Sequence, residues 1–424
     1  MAQVLPFTAW QRIVDAPPAA ALLPPCHDEA LAATLLTKTS DVADLSLTGG
    51  AIGLPDDLLR PLPDSGLFLY ELRCGSDAAV RCCHSGVIAR VRLEDFSAGV
   101  VLSHERSRPT DVAEEFAALR GRALQTQIPV ALYSDTCCVL EALSATEKQR
   151  PPLAEYACGP QLRCRLWQVS DAAFISRVRA VFDRKSLLLA SGQAFYEAAL
   201  RYRDQLRLQQ GDYSGREGFN YLMLALTNLD QLGVHLRPGH RLLQSGLLSD
   251  LPLLLGRLGA WFDVEDWPVN AACPSDQQRL LRRLAEQAGT APAFLLYAGG
   301  DRAYRLALQA ERLEGLELGA PRINELCLAG VFERLVVEQA LGFEPLALDD
   351  FDRLPPCLSA AAAFAAVRQG RYAAAFLFAP PAILSLREQA RAQVKLPPAS
   401  TFVCPPFPSR LLACSLDATP VAVC

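Results

Sequence analysis

The sequence lacks the usual marks of nucleotide, ester and metal chemistry. It has no GxxxxGK[ST] loop, and no GxGxxG stands between a predicted strand and helix, which excludes the common P-loop kinases and dinucleotide dehydrogenases. No GxSxG elbow, HExxH pair or EF-hand loop occurs. Lysine is confined to Lys38, Lys148, Lys185 and Lys395, so the basic side chains are nearly all arginine, a coding bias rather than a functional signal. They are dispersed, and the net charge of -5 with a pI near 5.7 gives no electrostatic basis for binding nucleic acid or an anionic membrane. No apolar run reaches the ~20 residues needed to cross a bilayer. The longest, Tyr372–Leu384, contains Pro380 and Pro381 and reads as a buried strand with its turn. Met1–Trp10 lacks the layout of a secretory signal, so a cytoplasmic protein is expected.

Fourteen cysteines are present, yet none forms a CxxC pair, and a 424-residue chain has core enough without disulfides. The densest groups are Cys26-His27, Cys82-Cys83-His84 and Cys137-Cys138. Adjacent side chains point apart on an extended backbone, so buried thiols are expected and no metal site is assigned. No cofactor is identified.

The length predicts two or three compact units, and a hydrophobic share of 51% with 21% charged residues predicts folding throughout. Residues 1–60 are broken by Pro17-Pro18, Pro24-Pro25 and the Thr48–Gly53 stretch, and read as a loop-rich segment. A core α/β unit is expected over 61–245 and a second α/β subdomain over 246–424. The fold class is α/β, with mixed sheets and helices packed on them.

Leu67–Tyr70 and Val87–Val91 read as a hairpin, Thr110–Leu124 as a helix with acids in its first turn, Ile128–Tyr133 and Leu162–Val169 as strands, and Asp171–Phe182 as an amphipathic helix. Ser186–Ala190 and Gln193–Leu208 form a strand-turn-helix, with Glu197 and Arg201 spaced to pair. Further helices are expected over Leu248–Leu258, from a Ser275 cap to Gly289, and over Asn324–Leu341, Leu358–Arg368 and Ile383–Gln393. Gly299-Gly300 turns a hairpin between Phe294–Tyr297 and Tyr304–Leu308.

Two places could carry chemistry. In Val100–Arg106 an apolar strand delivers His104, Glu105 and Arg106 in succession. His104 could move a proton, Glu105 could take one, and Arg106 could clamp an anion with parallel hydrogen bonds. The structural reading is a polar strand end with solvated charges. At Leu188–Gln193 a buried strand passes through Ser191 and Gly192 into a helix starting at Gln193, whose free amides and dipole favour an anion. The structural reading there is a Ser191 cap and a glycine turn.

Together these features resemble a bacterial and archaeal family of unknown function, numbered 1015. VLSHERSRP at Val101–Pro109 is similar to its VLPHERT segment, and ASGQAFYEAALRYRD at Ala190–Asp204 to its DGHHRYETALNYRDE. Asn220–Met223 with Thr227–Asp230 resembles NYVLMYLVNMED, Leu236–Leu242 resembles LPTHRLV, and Leu396–Phe402 resembles MPPKSTYF. The resemblance runs from about residue 60 to the C-terminus. It adds Asn228, Asp230, His240, Arg241, Ser400 and Thr401 to the candidate ligand-binding residues. For Asn228, Asp230, His240 and Arg241, satisfying sheet ends and turns is an equally good reading.

The departures are informative. Ser191-Gly192-Gln193-Ala194-Phe195 replaces Asp-Gly-His-His-Arg, and Ala399 and Pro406 stand where the family has lysines. The family turn is similar to the phosphate-binding turn of the ParB and sulfiredoxin group, which implies phosphoryl transfer for members with the full motif. Three expectations follow for this chain. It is a diverged member with reduced catalysis that keeps a cleft for a small anionic metabolite, with Arg106 as the clamp. Alternatively it is an active phosphotransferase or phosphohydrolase using His104 and Glu105, or a non-catalytic partner of a full-motif paralogue, docking through a surface around Phe195 or the alanine-rich helix.

Overall fold

The computed structural model describes residues 1–12, 59–74, 82–159, 162–231, 233–248, 250–287, 292–309, 311, 328–408 and 410–421. Among the described residues two large sheets, a four-stranded sheet and a two-stranded one, with helices packed on them, make the protein α/β. The first sheet has nine strands. From one edge these are Val101–Ser103, Leu187–Leu189, Val130–Tyr133, Tyr221–Asn228, Cys82–Arg92, Leu67–Cys74, Leu162–Val169 and Ala154–Gly159, with Val4–Leu5 alongside Cys82–Arg92. The second has six, in the order Phe262–Pro268, Arg302–Leu308, Ala293–Tyr297, Tyr372–Phe378, His240–Gln244 and Pro356–Cys357.

Burial follows from side-chain alternation. All eight residues of Tyr221–Asn228 are buried, as expected of a central strand covered on both faces. In the second sheet Leu243, Phe294, Leu296 and Phe376 join one core, and Leu242, Leu295, Ala375 and Leu377 the other, because neighbours on a strand point to opposite faces. The predicted hairpin is present, with Phe68 opposite Ile88, and Leu162–Val169 is a strand over the whole predicted span. Asp171 caps the Ala172–Phe182 helix by accepting from Phe174 N at 2.7 Å. Gly299 and Gly300 turn the second hairpin at positive φ.

Several expectations are corrected. The helix expected to be capped by Ser275 begins at Pro274, so Ser275 lies inside its first turn, while Gly289 is outside the described residues. Within the predicted Asn324–Leu341 helix, Leu328–Val331 is α-helical and Phe332–Ala340 is a π-helix. Leu335, Val336 and Val337 are all buried there. Leu341 N bonds back to Val336 O at 2.8 Å, the five-residue spacing of the wider turn. The prolines and glycines between 17 and 53, and Cys26-His27, lie outside the described residues.

The register decides what can meet at a site. Leu187–Leu189 runs parallel to Val101–Ser103 and antiparallel to Val130–Tyr133, which is itself parallel to Tyr221–Asn228. The chain therefore leaves Ser103 and Leu189 at one end of the sheet, and Tyr133 and Asn228 at the other. The Thr401–Cys404 strand, paired with His235–Pro238, crosses the first of these ends.

Candidate functional site

His104 follows the edge strand Val101–Ser103 and is fully buried. Its Nδ1 donates to the Leu189 carbonyl oxygen at 3.0 Å, since a carbonyl can only accept. Its Nε2 meets Thr401 Oγ1 at 2.7 Å. Glu105 Oε1 accepts from both the backbone N (2.8 Å) and the Oγ1 (2.6 Å) of Thr401, and lies 3.3 Å from His104 Nε2. The main chain closes the same junction: Leu396 N donates to His104 O at 2.7 Å, and Arg106 N to Leu396 O at 2.9 Å. A buried carboxylate and imidazole need partners, and here the chain's own Thr401 supplies them.

Arg106 points from this strand end into the second unit. Its Nη1 donates to Glu333 Oε2 at 3.0 Å, its Nη2 to Glu333 Oε1 and, at 2.8 Å, to Asp349 Oδ1, and its Nε to Asp349 Oδ1 at 3.1 Å. Burial pulls its pKa down, but the bonds to Glu333 and Asp349 outweigh this and the group is held above its ordinary value. Glu333 sits on the π-helix and Asp349 on a 3₁₀ turn, both rooted in a core of the six-stranded sheet. Arg241, also buried, donates to the carbonyls of Leu354 (3.2 Å) and Pro398, and desolvation lowers it to about 10. His240 Nδ1 accepts from Phe378 N at 3.1 Å, and burial lowers it to about 4. Ser400 Oγ closes on Pro397 O at 2.7 Å, and Gly239 N donates to Ser400 O at 2.8 Å. A Cβ at Gly239 would lie 1.9 Å from Ala399 O, so only glycine allows this approach.

The strand-turn-helix is where the sequence places it, but its details differ. Ser191 does not cap the helix: its Oγ accepts from Val130 N at 3.0 Å on the neighbouring strand. Gly192 takes the cap position at φ 75°, and a Cβ there would stand 2.7 Å from Pro129. Gln193 Nε2 donates to the Leu189 carbonyl that His104 also uses, at 3.3 Å, so the turn and the strand end touch. Glu197 is engaged by Ser107 Oγ at 3.0 Å and Lys395 Nζ at 3.7 Å instead of the expected Arg201.

His104, Glu105, Arg106, Gln193, Arg241, Ser400 and Thr401 thus gather along one seam between the two sheets. Asn228 and Asp230 do not join it. They lie at the opposite end of the first sheet, where Asn228 Oδ1 accepts from Asp135 N (3.0 Å) and Asp230 N (3.1 Å), and Asp230 Oδ2 from Ser134 Oγ at 2.7 Å. Glu333 and Asp349, which complete the seam, carry no local sequence signal. The docking surface expected around Phe195 is corrected, since Phe195 is buried, while the Ala360–Arg368 helix turns Ala362, Ala363, Phe364, Ala366 and Val367 inward and leaves Ala361 exposed. Among the described residues no group of three or more His, Cys, Asp or Glu side chains stands where it could share a metal, and no helix is long and apolar enough to cross a membrane.

Comparison with solved structures finds distant likenesses. A conserved hypothetical protein from Pyrococcus furiosus shares 11% identity over 78% of this chain and 95% of its own, with a TM-score of 0.37. A free serine kinase in complex with AMP gives 10%, 78%, 92% and 0.38, and SbnI with a C-terminal truncation from Staphylococcus aureus gives 8%, 74%, 82% and 0.32. Likenesses this remote carry no argument about chemistry. No curated protein matches. The model of one family, described as "Protein of unknown function (DUF1015)", matches residues 54–331, well over half of the sequence. The chain belongs to that family.

Proposed function

We propose that this chain is a catalytically silent member of its family that binds a small phosphorylated or carboxylated anion at the start of the Gln193–Gln210 helix and does not transform it. The observation that carries this reading is the state of the strand-end charges. His104 and Glu105 are spent on Leu189 and Thr401, Arg106 on Glu333 and Asp349, and Arg241 on two carbonyls. Proton transfer needs a titratable group with a free position, and Ser191–Phe195 supplies none. What the turn retains is main-chain N–H groups and the helix dipole, which hold an anion without acting on it.

The test pairs a turnover assay with a binding screen. Incubation of the protein with nucleotides, pyrophosphate and candidate acceptors in the presence of magnesium should yield no product above the protein-free rate. A thermal-shift screen with phosphorylated amino acids, nucleotides and pyrophosphate should show a stabilising ligand, and Ala194→Asp should reduce that shift. The new carboxylate suits the helix dipole but repels a bound anion, and an unfolding curve of the variant checks that the fold is kept, since Ala194 packs partly against the core. Turnover by the wild-type protein would remove the silent assignment, and a shift indifferent to Ala194→Asp would remove the site.

A further inference from the structure

A cavity of about 190 Å³ lies over the edge of the first sheet, at the end opposite the seam. Its floor is Leu102, Leu132 and Leu188, which stand side by side on three adjacent strands, as the register requires. Its walls carry Arg184 and Lys185, from the turn before Leu187–Leu189, and Arg387 and Arg391, from the Ile383–Arg391 helix. Leu386 and Ala390 anchor that helix in the main core, so residues one position on, at 387 and 391, share the stripe that faces the cavity.

The cations are unbalanced. Lys185 is held by Ser134 O at 2.7 Å and Asp135 Oδ1 at 3.4 Å. Arg184, Arg387 and Arg391 make no ion pair among the described residues, and Arg387 Nε is buried without a hydrogen-bond partner. Among the described residues no carboxylate lines the cavity. Arg387 and Arg391 repel one another at i,i+4, an arrangement that a protein surface ordinarily relieves with an acid on the same stripe. A buried guanidinium nitrogen without an acceptor calls for one.

We infer that this cavity is a second anion site, taking the phosphate group of a small phosphate-bearing metabolite between Arg184 and the Arg387–Arg391 stripe, with its organic part over the leucine floor. Guanidinium forks bind phosphate oxygens in pairs, which suits arginines on two facing walls better than lysines. The volume is several times the ~30 Å³ share of one water, enough for the head group and a short carbon skeleton. The site is separate from the Gly192 turn: Arg184 and Lys185 precede the Leu187–Leu189 strand and Gly192 follows it, so the two stand at opposite ends of that strand.

The test is a titration of the full chain with inorganic phosphate and with pyrophosphate at constant ionic strength, followed by calorimetry. It uses wild type, Arg387→Gln, Arg184→Gln and Ala194→Asp. Arg184 is exposed, so its variant keeps the site testable if Arg387→Gln folds poorly. A saturable component weakened at least tenfold in each arginine variant and retained in Ala194→Asp, which removes only anion held at the turn, is the expected result. Absence of saturable binding, or binding that survives both arginine substitutions, overturns the site. Loss of binding in Ala194→Asp alone would place the anion at the turn and overturn it equally, while supporting the proposed function.

Discussion

The seam and the cavity are both rich in charge, and they use it in opposite ways. At the seam Arg106 ties the end of the first sheet to Glu333 and Asp349 on the second, Glu105 ties it to the Thr401–Cys404 strand, and Arg241 is held by main-chain carbonyls. At the cavity three arginines face space. A residue type that can do chemistry is therefore a poor locator of function by itself. Whether its polar atoms are already occupied separates a latch from a binding surface.

The difference can be broken most forcefully at Arg106. Arg106→Ala leaves Glu333 and Asp349 partly buried without a cation and should lower the unfolding free energy by ~3 kcal/mol or more, measured by urea denaturation. A loss below ~1 kcal/mol would show that the seam is not a latch. Acid should act on the same region through His240, and on the first sheet through His84, both lowered to about 4 by burial. Their folded pKa lies below the unfolded value, so the unfolded chain takes up protons first. Stability is unaffected above about pH 6.5, falls as pH drops toward 4, and levels off there, by on the order of 3 kcal/mol for each histidine. Unfolding curves at stepped pH, repeated on His240→Gln, should show a shallower acid slope in the variant.

Thr401→Val sharpens the comparison, because it removes only the hydroxyl shared by His104 and Glu105. A loss of ~2 kcal/mol is expected from the groups left short of partners. The smallest effect should come from the cavity. Arg387→Gln removes an i,i+4 repulsion and should change stability by no more than a few tenths of a kcal/mol, in the stabilising direction, with the gain shrinking as salt is added. A large destabilisation would mean that this arginine is structural after all.

Much of the fold was legible because it is local. Alternation gave Leu162–Val169, an apolar stripe gave the helix that follows Asp171, and paired glycines gave the hairpin at Gly299. The π-helix was not, since its geometry answers to a core assembled from other strands. The seam was half legible. His104, Glu105 and Arg106 announced themselves as a run of ionisable groups, but their partners Thr401, Glu333 and Asp349 are more than two hundred residues away. Ser191 misled for the same reason: a serine before a helix is ordinarily its cap, and only the position of Val130 turns it aside. Arg387 and Arg391 do leave a trace in the sequence, two like charges one turn apart on a predicted helix. Such a pair is destabilising unless an acid or a bound anion offsets it, but which of the two applies depends on what packs against the helix.

The contact between His104 and Thr401 spans 297 residues. Closing a loop of that length costs ~5 kcal/mol in chain entropy, so it forms only after both sheets exist to bring its ends together. The seam is therefore a late event in folding, and contacts of such high order make for slow folding. Until it closes, Glu105 and Arg106 remain hydrated at an open strand edge, able to pair with a neighbouring chain as readily as with their own. The latch that silences these side chains in the native state is also what ends the interval in which the protein is exposed to aggregation.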